Sequence, residues 1–158
     1  MDFALSYPQR LRSFTLLCST SGIQDRDYVE ATRRMRPEGF DQMPSAFLEL
    51  SPSYRVTDPD GVARWSEFAR NNRAPEAVRG PTQPPKNRVT FATLEAIRIR
   101  TLVIAGDADL YAPPASMRRV AQRIHGAQFV SVPEAGHSVW WEAPRSSIAP
   151  YLPSSAKH

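Results

Sequence analysis

Apolar residues along this chain fall into two rhythms, short unbroken runs and stripes at helical spacing. Arg12-Ser13-Phe14-Thr15-Leu16-Leu17-Cys18 is a brief apolar, β-favouring run closed by Ser19-Thr20-Ser21-Gly22. Arg100-Thr101-Leu102-Val103-Ile104-Ala105-Gly106 is a stronger one ending on glycine, and Ala127-Gln128-Phe129-Val130-Ser131-Val132 is a third. Runs of this length without polar alternation predict strands buried on both faces, the pattern of a parallel sheet. Between the second and third runs, residues 114–125 place Met117, Val120, Ala121 and Ile124 on one helical face. Strand, helix and strand at this spacing form a βαβ crossover, so the flanking strands run parallel with a right-handed connection.

Residues 2–7 read as a helix end stopped before Pro8, and 93–97 as a short helical turn. The segment from about 25 to 90 has no strand-like alternation. It predicts helices at 26–35, with Asp25 as a cap, at 44–50, and at 60–71 after Asp58-Pro59-Asp60-Gly61. The proline-rich stretch 80–87 closes it. This is a helical insertion, read either as a surface excursion or as a lid over a site. No internal repeat is evident.

Composition narrows the function classes. The 158 residues are 41% hydrophobic and 23% charged with a mean hydropathy of −0.43, and no apolar run approaches the roughly 20 residues that span a bilayer. Residues 1–8 lack the basic start and apolar stretch of a secretory signal. Cys18 is the single cysteine, so no internal disulfide framework or paired-cysteine metal cluster is expected. The expected location is therefore cytoplasmic, with no membrane association. A net charge of +4 and a pI near 9.6 would suit nucleic acid, but the arginines are scattered and the longest basic runs are pairs. No nucleic-acid partner is expected. Fifteen prolines against seven glycines is the reverse of a nucleotide-binding or nucleophile-turn region, where glycine supplies tight turns.

Two polar sites lie where α/β sheets gather their chemistry, beyond the C-terminal ends of strands. Asp107-Ala108-Asp109 follows the strand ending at Gly106, and His137 follows the strand ending at Val132. On adjacent parallel strands a carboxylate from one loop can reach an imidazole from the other. Histidine exchanges protons near neutrality, and a carboxylate fixes its tautomer and stabilises the transient imidazolium. Each residue also has a plainer reading, the aspartate as a cap or turn residue and the histidine as a structural one.

The stretch 101–109, then Pro113-Pro114, then Val132-Pro133-Glu134-Ala135-Gly136-His137-Ser138 resembles the C-terminal part of the α/β-hydrolase family. There a strand ending G-x-x-D presents a triad acid, and the base sits in a G-H turn. The resemblance implies Asp109 as the acid, with Asp107 as runner-up, and His137 as the base. Trp140-Trp141-Glu142-Ala143-Pro144 resembles the family's aromatic-acidic-proline stretch, and residues 2–17 resemble the helix and strand after its nucleophile turn. The implied fold is α/β, a partial hydrolase core of about three parallel strands from residues 1–22 and 91–158, with a helical cap at 23–90. Within that cap Trp65, Phe68 and Phe47 are candidate pocket-shaping residues, with ordinary packing as their plainer role.

Two features depart from the family. The nucleophile turn G-x-S-x-G has no match; Ser138 lacks such an elbow, and Cys18 is read as a buried structural thiol. Prolines interrupt the expected closing helix at 145–153. The implied activity is hydrolysis of a small ester, lactone or related carbonyl substrate, with the serine upstream of Met1 in a longer domain. The chain is then a fragment, a protein with a misassigned start, or a decayed relative. The alternatives are an inactive relative and a fragment that binds a partner along its open sheet edge. No cofactor or metal is implied, since His125, His137 and His158 lack ligand spacing.

Overall fold

Three parallel strands organise the chain, in the order β1 (Phe14–Leu17), β2 (Thr101–Gly106), β3 (Gln128–Val132). The computed structural model describes residues 1–72 and 84–144. Leu17 stands opposite Ile104, and Gly106 opposite Val132. β2 is central and covered on both faces, which is why its sequence is an unbroken apolar run rather than an alternating one.

Period-two geometry divides the core between two layers. On one face Leu16, Val103 and Ala105 pack with Ala4 of α1 (Asp2–Ser6), Leu94 of α6 (Phe91–Glu95) and the apolar stripe of α7 (Pro114–Arg123). Met117, Val120, Ala121 and Ile124 are all buried, as their helical spacing requires. On the other face Ile104 and Val132 meet Ala135 and Val139, joined by Cys18, which lies just past β1 where a φ of 45° breaks the strand's alternation. Val139 opens the four-residue helix α8 (Val139–Glu142).

Between β1 and α6 the described chain is helical: α2 (Arg26–Arg34), α3 (Ser45–Glu49), α4 (Pro52–Thr57) and α5 (Pro59–Asn71). Two of these begin with the same device, a capping oxygen followed by proline at the first helical position. The Ser51 hydroxyl accepts from the Tyr54 amide, and the Asp58 carboxylate from the Gly61 amide. α4 is absent from the sequence-based expectation, although Ser51-Pro52 carries the same start signal as Asp58-Pro59. Asp25 precedes α2 as expected but makes no side-chain cap to it. Its carboxylate instead accepts from the Phe91 amide, 2.8 Å away, at the start of α6. The local cap is replaced by a tie across 66 residues. A second tie runs from the Asp2 carboxylate to the amides of Lys86 and Asn87. Part of the proline-rich stretch and the expected proline-interrupted helix lie outside the described residues.

Candidate functional site

The loops after β2 and β3 are joined before any functional side chain is considered. The Asp107 amide donates to the Val132 carbonyl (3.1 Å) and the Ala108 amide to the Ala135 carbonyl (2.9 Å). Gly106 makes this approach possible, because a Cβ there would overlap the carbonyl oxygens of Gly136 and Ala135. Here glycine serves backbone proximity rather than positive φ.

From these joined loops Asp109 and His137 meet. The imidazole Nδ1 lies 3.1 Å from Oδ1 and 3.0 Å from Oδ2 of Asp109. The Asp109 side chain is fully buried, whereas the His137 side chain keeps 28% of its surface open. Burial of a carboxylate is costly unless its lone pairs are satisfied, and the chain supplies donors. Oδ1 also accepts from the amides of Tyr111 (2.8 Å) and Ala112 (2.9 Å) in the turn that follows. The Tyr111 ring stands 4.9 Å from the imidazole, and Phe40 packs edge-on against Tyr111 at 5.0 Å. Burial alone would lower the proton affinity of His137. The Asp109 hydrogen bond and charge, with the Glu49 charge, outweigh it and hold the pKa above its ordinary value.

The backbone on either side of His137 is bound to the junction between α3 and α4. The Ser138 amide donates to the Glu49 carbonyl (3.0 Å). The Gly136 amide donates to Oε1 of Glu142 (2.9 Å), whose Oε2 accepts from the Ser51 amide (3.0 Å). Further along, Trp141 donates its indole N–H to the Tyr54 hydroxyl, which donates to Asp58. Sequence reading missed Glu49, Ser51 and Tyr111 as neighbours of the site, and took Glu142 only as part of a stretch. Partners 91 residues apart, like Ser51 and Glu142, leave no local signal.

The other singled-out residues have definite places. Asp107, the runner-up acid, is exposed, and it is Asp109 that meets the imidazole. Cys18 is buried at the end of β1 with a φ of 45°, and burial followed by the Asp109 charge pushes its thiol up to about 12. It is a protonated thiol at neutral pH, not a thiolate. Ser138 is 2% exposed; its hydroxyl accepts from the Trp65 indole and donates to Glu49. Trp65 is thus buried against the histidine turn, Phe68 lies against Trp140 and Trp141, and Arg55 sits over Phe47. His125 is exposed, and His158 is outside the described residues. Among the described residues no three His, Cys, Asp or Glu side chains converge as metal ligands, and no helix is long and apolar enough to cross a membrane. A depression lined by Ser13, Thr15, Arg100 and Gln128 lies at the opposite, N-terminal ends of the strands.

Comparison with known proteins agrees with this architecture. A family model described as the alpha/beta hydrolase fold matches residues 2–144. No curated protein matches the chain. Among solved structures, a thermophilic esterase from Thermogutta terrifontis is 27% identical with a TM-score of 0.70 over 94% of this chain and 57% of its own. A hydrolase from Pseudomonas aeruginosa PA01 is 24% identical with a TM-score of 0.62, over 91% of this chain and 55% of its own. Carboxylesterase CesB from Bacillus subtilis is 18% identical with a TM-score of 0.58, over 91% and 51%. The chain therefore spans a little over half the length of these structures. With its three parallel strands and flanking helices it belongs to the α/β-hydrolase fold family, of which it holds a part.

Proposed function

We propose that this chain carries the acid and base of a hydrolase acting on a small ester, lactone or related carbonyl substrate. Asp109 is the acid and His137 the base, and the nucleophile comes from polypeptide outside these 158 residues. The observation that supports this most directly is the pairing of a buried carboxylate with a partly open imidazole at the C-terminal ends of β2 and β3. Similarity to an esterase at 27% identity supports an ester-like substrate class. The helices between 26 and 71 act as a cap over the site.

The chemistry follows from the geometry. With Nδ1–H donated to Asp109, the neutral ring offers Nε2 as an acceptor. A serine hydroxyl attacks the acyl carbon, its proton passes to Nε2, and the carbonyl π electrons move onto oxygen. Asp109 stays ionised and stabilises the imidazolium. Collapse of the tetrahedral intermediate breaks the acyl–oxygen bond, and the proton goes from Nε2 to the leaving alkoxide. Water then repeats the sequence on the acyl-enzyme, and restores the serine. The donors for the developing oxyanion would come largely from the same outside segment.

The lack of any G-x-S-x-G in the sequence favours a second reading for the chain by itself, an inactive or binding piece. Sequencing the DNA before the Met1 codon tests both. An in-frame G-x-S-x-G, with short-chain p-nitrophenyl ester turnover by the extended protein that is lost in His137→Ala, is the expected result. A stop codon there, with no fluorophosphonate labelling of the 158 residues, would remove the enzyme reading.

A further inference from the structure

Asp109 holds the imidazole of His137, but nothing in that pairing holds the backbone from which the ring projects. That backbone is held by Glu142. One carboxylate oxygen takes the Gly136 amide at 2.9 Å and the other takes the Ser51 amide at 3.0 Å. The two donors come from separate parts of the chain and converge on one anion, which suits a carboxylate and not an amide. A glutamine has one acceptor oxygen and would turn its NH2 toward the second N–H. Bonds to an ionised acceptor are also stronger than neutral ones.

Gly136 leaves no room for a side chain at this contact. A Cβ on Gly136 would lie 2.7 Å from the Glu49 carbonyl and 2.8 Å from the Ser51 nitrogen. On the far side of His137, the Ser138 amide binds the Glu49 carbonyl at 3.0 Å. Both backbone neighbours of His137 are thus referenced to residues 49–51. We propose that Glu142 is a positioning residue for His137: its carboxylate clamps the Gly136 peptide to Ser51 and so keeps the imidazole on Asp109. The α3–α4 junction and the histidine turn then move as one body. This rests on reading His137 as the base, and the test therefore observes the ring itself and not turnover.

A carboxylate that merely stapled α8 in place would change stability and leave the imidazole as it was. The titratable groups around the ring are Asp109 and Tyr111 from the loop after β2, Glu49 from α3, and Cys18 behind Asp109. None of these is altered in the variants, so Glu142, bound to the Gly136 amide beside His137, is the one charged group that changes. The experiment is NMR of the histidine-labelled full chain as wild type, Glu142→Gln, Ser51→Pro and Ser51→Ala. Ser51 has φ −62° and ψ 155°, and Leu50 before it is extended, so the backbone angles suit proline, whose Cδ takes the place of the N–H and pushes the Glu142 carboxylate off this position. Ser51→Pro deletes the N–H while leaving the Glu142 charge, and Ser51→Ala controls for the lost cap on Tyr54.

The expected result is that Glu142→Gln and Ser51→Pro both lose the downfield Nδ1–H signal and titrate His137 at lower pH. Ser51→Ala keeps both properties. If Ser51→Pro fails to fold, Glu142→Asp replaces it, keeping the charge but drawing the carboxylate back from the two amides. A folded Glu142→Gln with an unchanged signal and titration would overturn the proposal. So would a change in Glu142→Gln alone, which is the mark of a through-space charge effect. A wild-type protein with no Asp109-bonded Nδ1–H signal would overturn the base reading itself, and the clamp with it.

Discussion

Both carboxylate oxygens of Asp109 lie within 3.1 Å of Nδ1 of His137, while Oδ1 also receives two backbone amides from its own turn. One buried carboxylate thus serves the imidazole and the loop that presents it. Its two tasks can be separated by mutation.

Asp109→Asn keeps an oxygen for the Tyr111 and Ala112 amides but faces Nδ1 with an NH2, which favours the wrong ring tautomer. We expect a folded protein in which His137 titrates at lower pH. Asp109→Ala removes the acceptor from all three donors. It should cost about 2–4 kcal/mol in urea unfolding, the scale of several buried groups left unpaired. Equal stability of the two variants would show that the turn does not depend on the carboxylate.

The pH dependence of stability follows from the raised pKa of His137. Because the folded pKa exceeds the unfolded one, the native state binds the extra proton more tightly. The stabilisation from charged His137 is complete below the unfolded value of about 6.5 and is lost as pH rises through the folded pKa. Activity of a complete enzyme should run the other way across the same window, because the base must be neutral. Chemical denaturation from pH 5 to 9 of wild type and His137→Gln checks the first trend. A difference between the two that does not shrink with rising pH would contradict it.

Gly106→Ala should be strongly destabilising despite its small size. A methyl there meets the carbonyls of Ala135 and Gly136, and backbone cannot rotate away as a side chain tip can. A loss of about 2 kcal/mol or more is expected, with disturbance of the Asp107–Val132 and Ala108–Ala135 bonds visible in amide exchange. Gly126→Ala is a useful contrast: nothing stands near its Cβ, and only its φ of +70° resists substitution.

Some of the site was legible because its determinants are local. Gly106-Asp107-Ala108-Asp109 and Gly136-His137 are strand-end turns. Parallel strands bring such turns to one edge without further information. Spacing leaves Asp107 and Asp109 both open as the acid and family resemblance points to Asp109; which carboxylate lies beside the imidazole is fixed by the fold, and it is that of Asp109. Capping could mislead even at short range, as Asp25 shows by serving Phe91 instead of α2. The carboxylate had two helix starts within reach, and only the fold decided between them.

By itself, the sequence determined the three apolar strands, the parallel sense of β2 and β3, the buried stripe of α7 and three of the four helices between residues 26 and 71. Each depends on side-chain periodicity or on a cap within a few residues, forces that act along the chain. Tertiary structure alone decided the surroundings of His137. Glu142 reaching Ser51, Glu49 receiving Ser138, and Trp65 donating to Ser138 join segments 73 to 91 residues apart. Hydrogen bonds act over about 3 Å, and no pattern in the linear order specifies which distant donors the folded chain will bring within that reach.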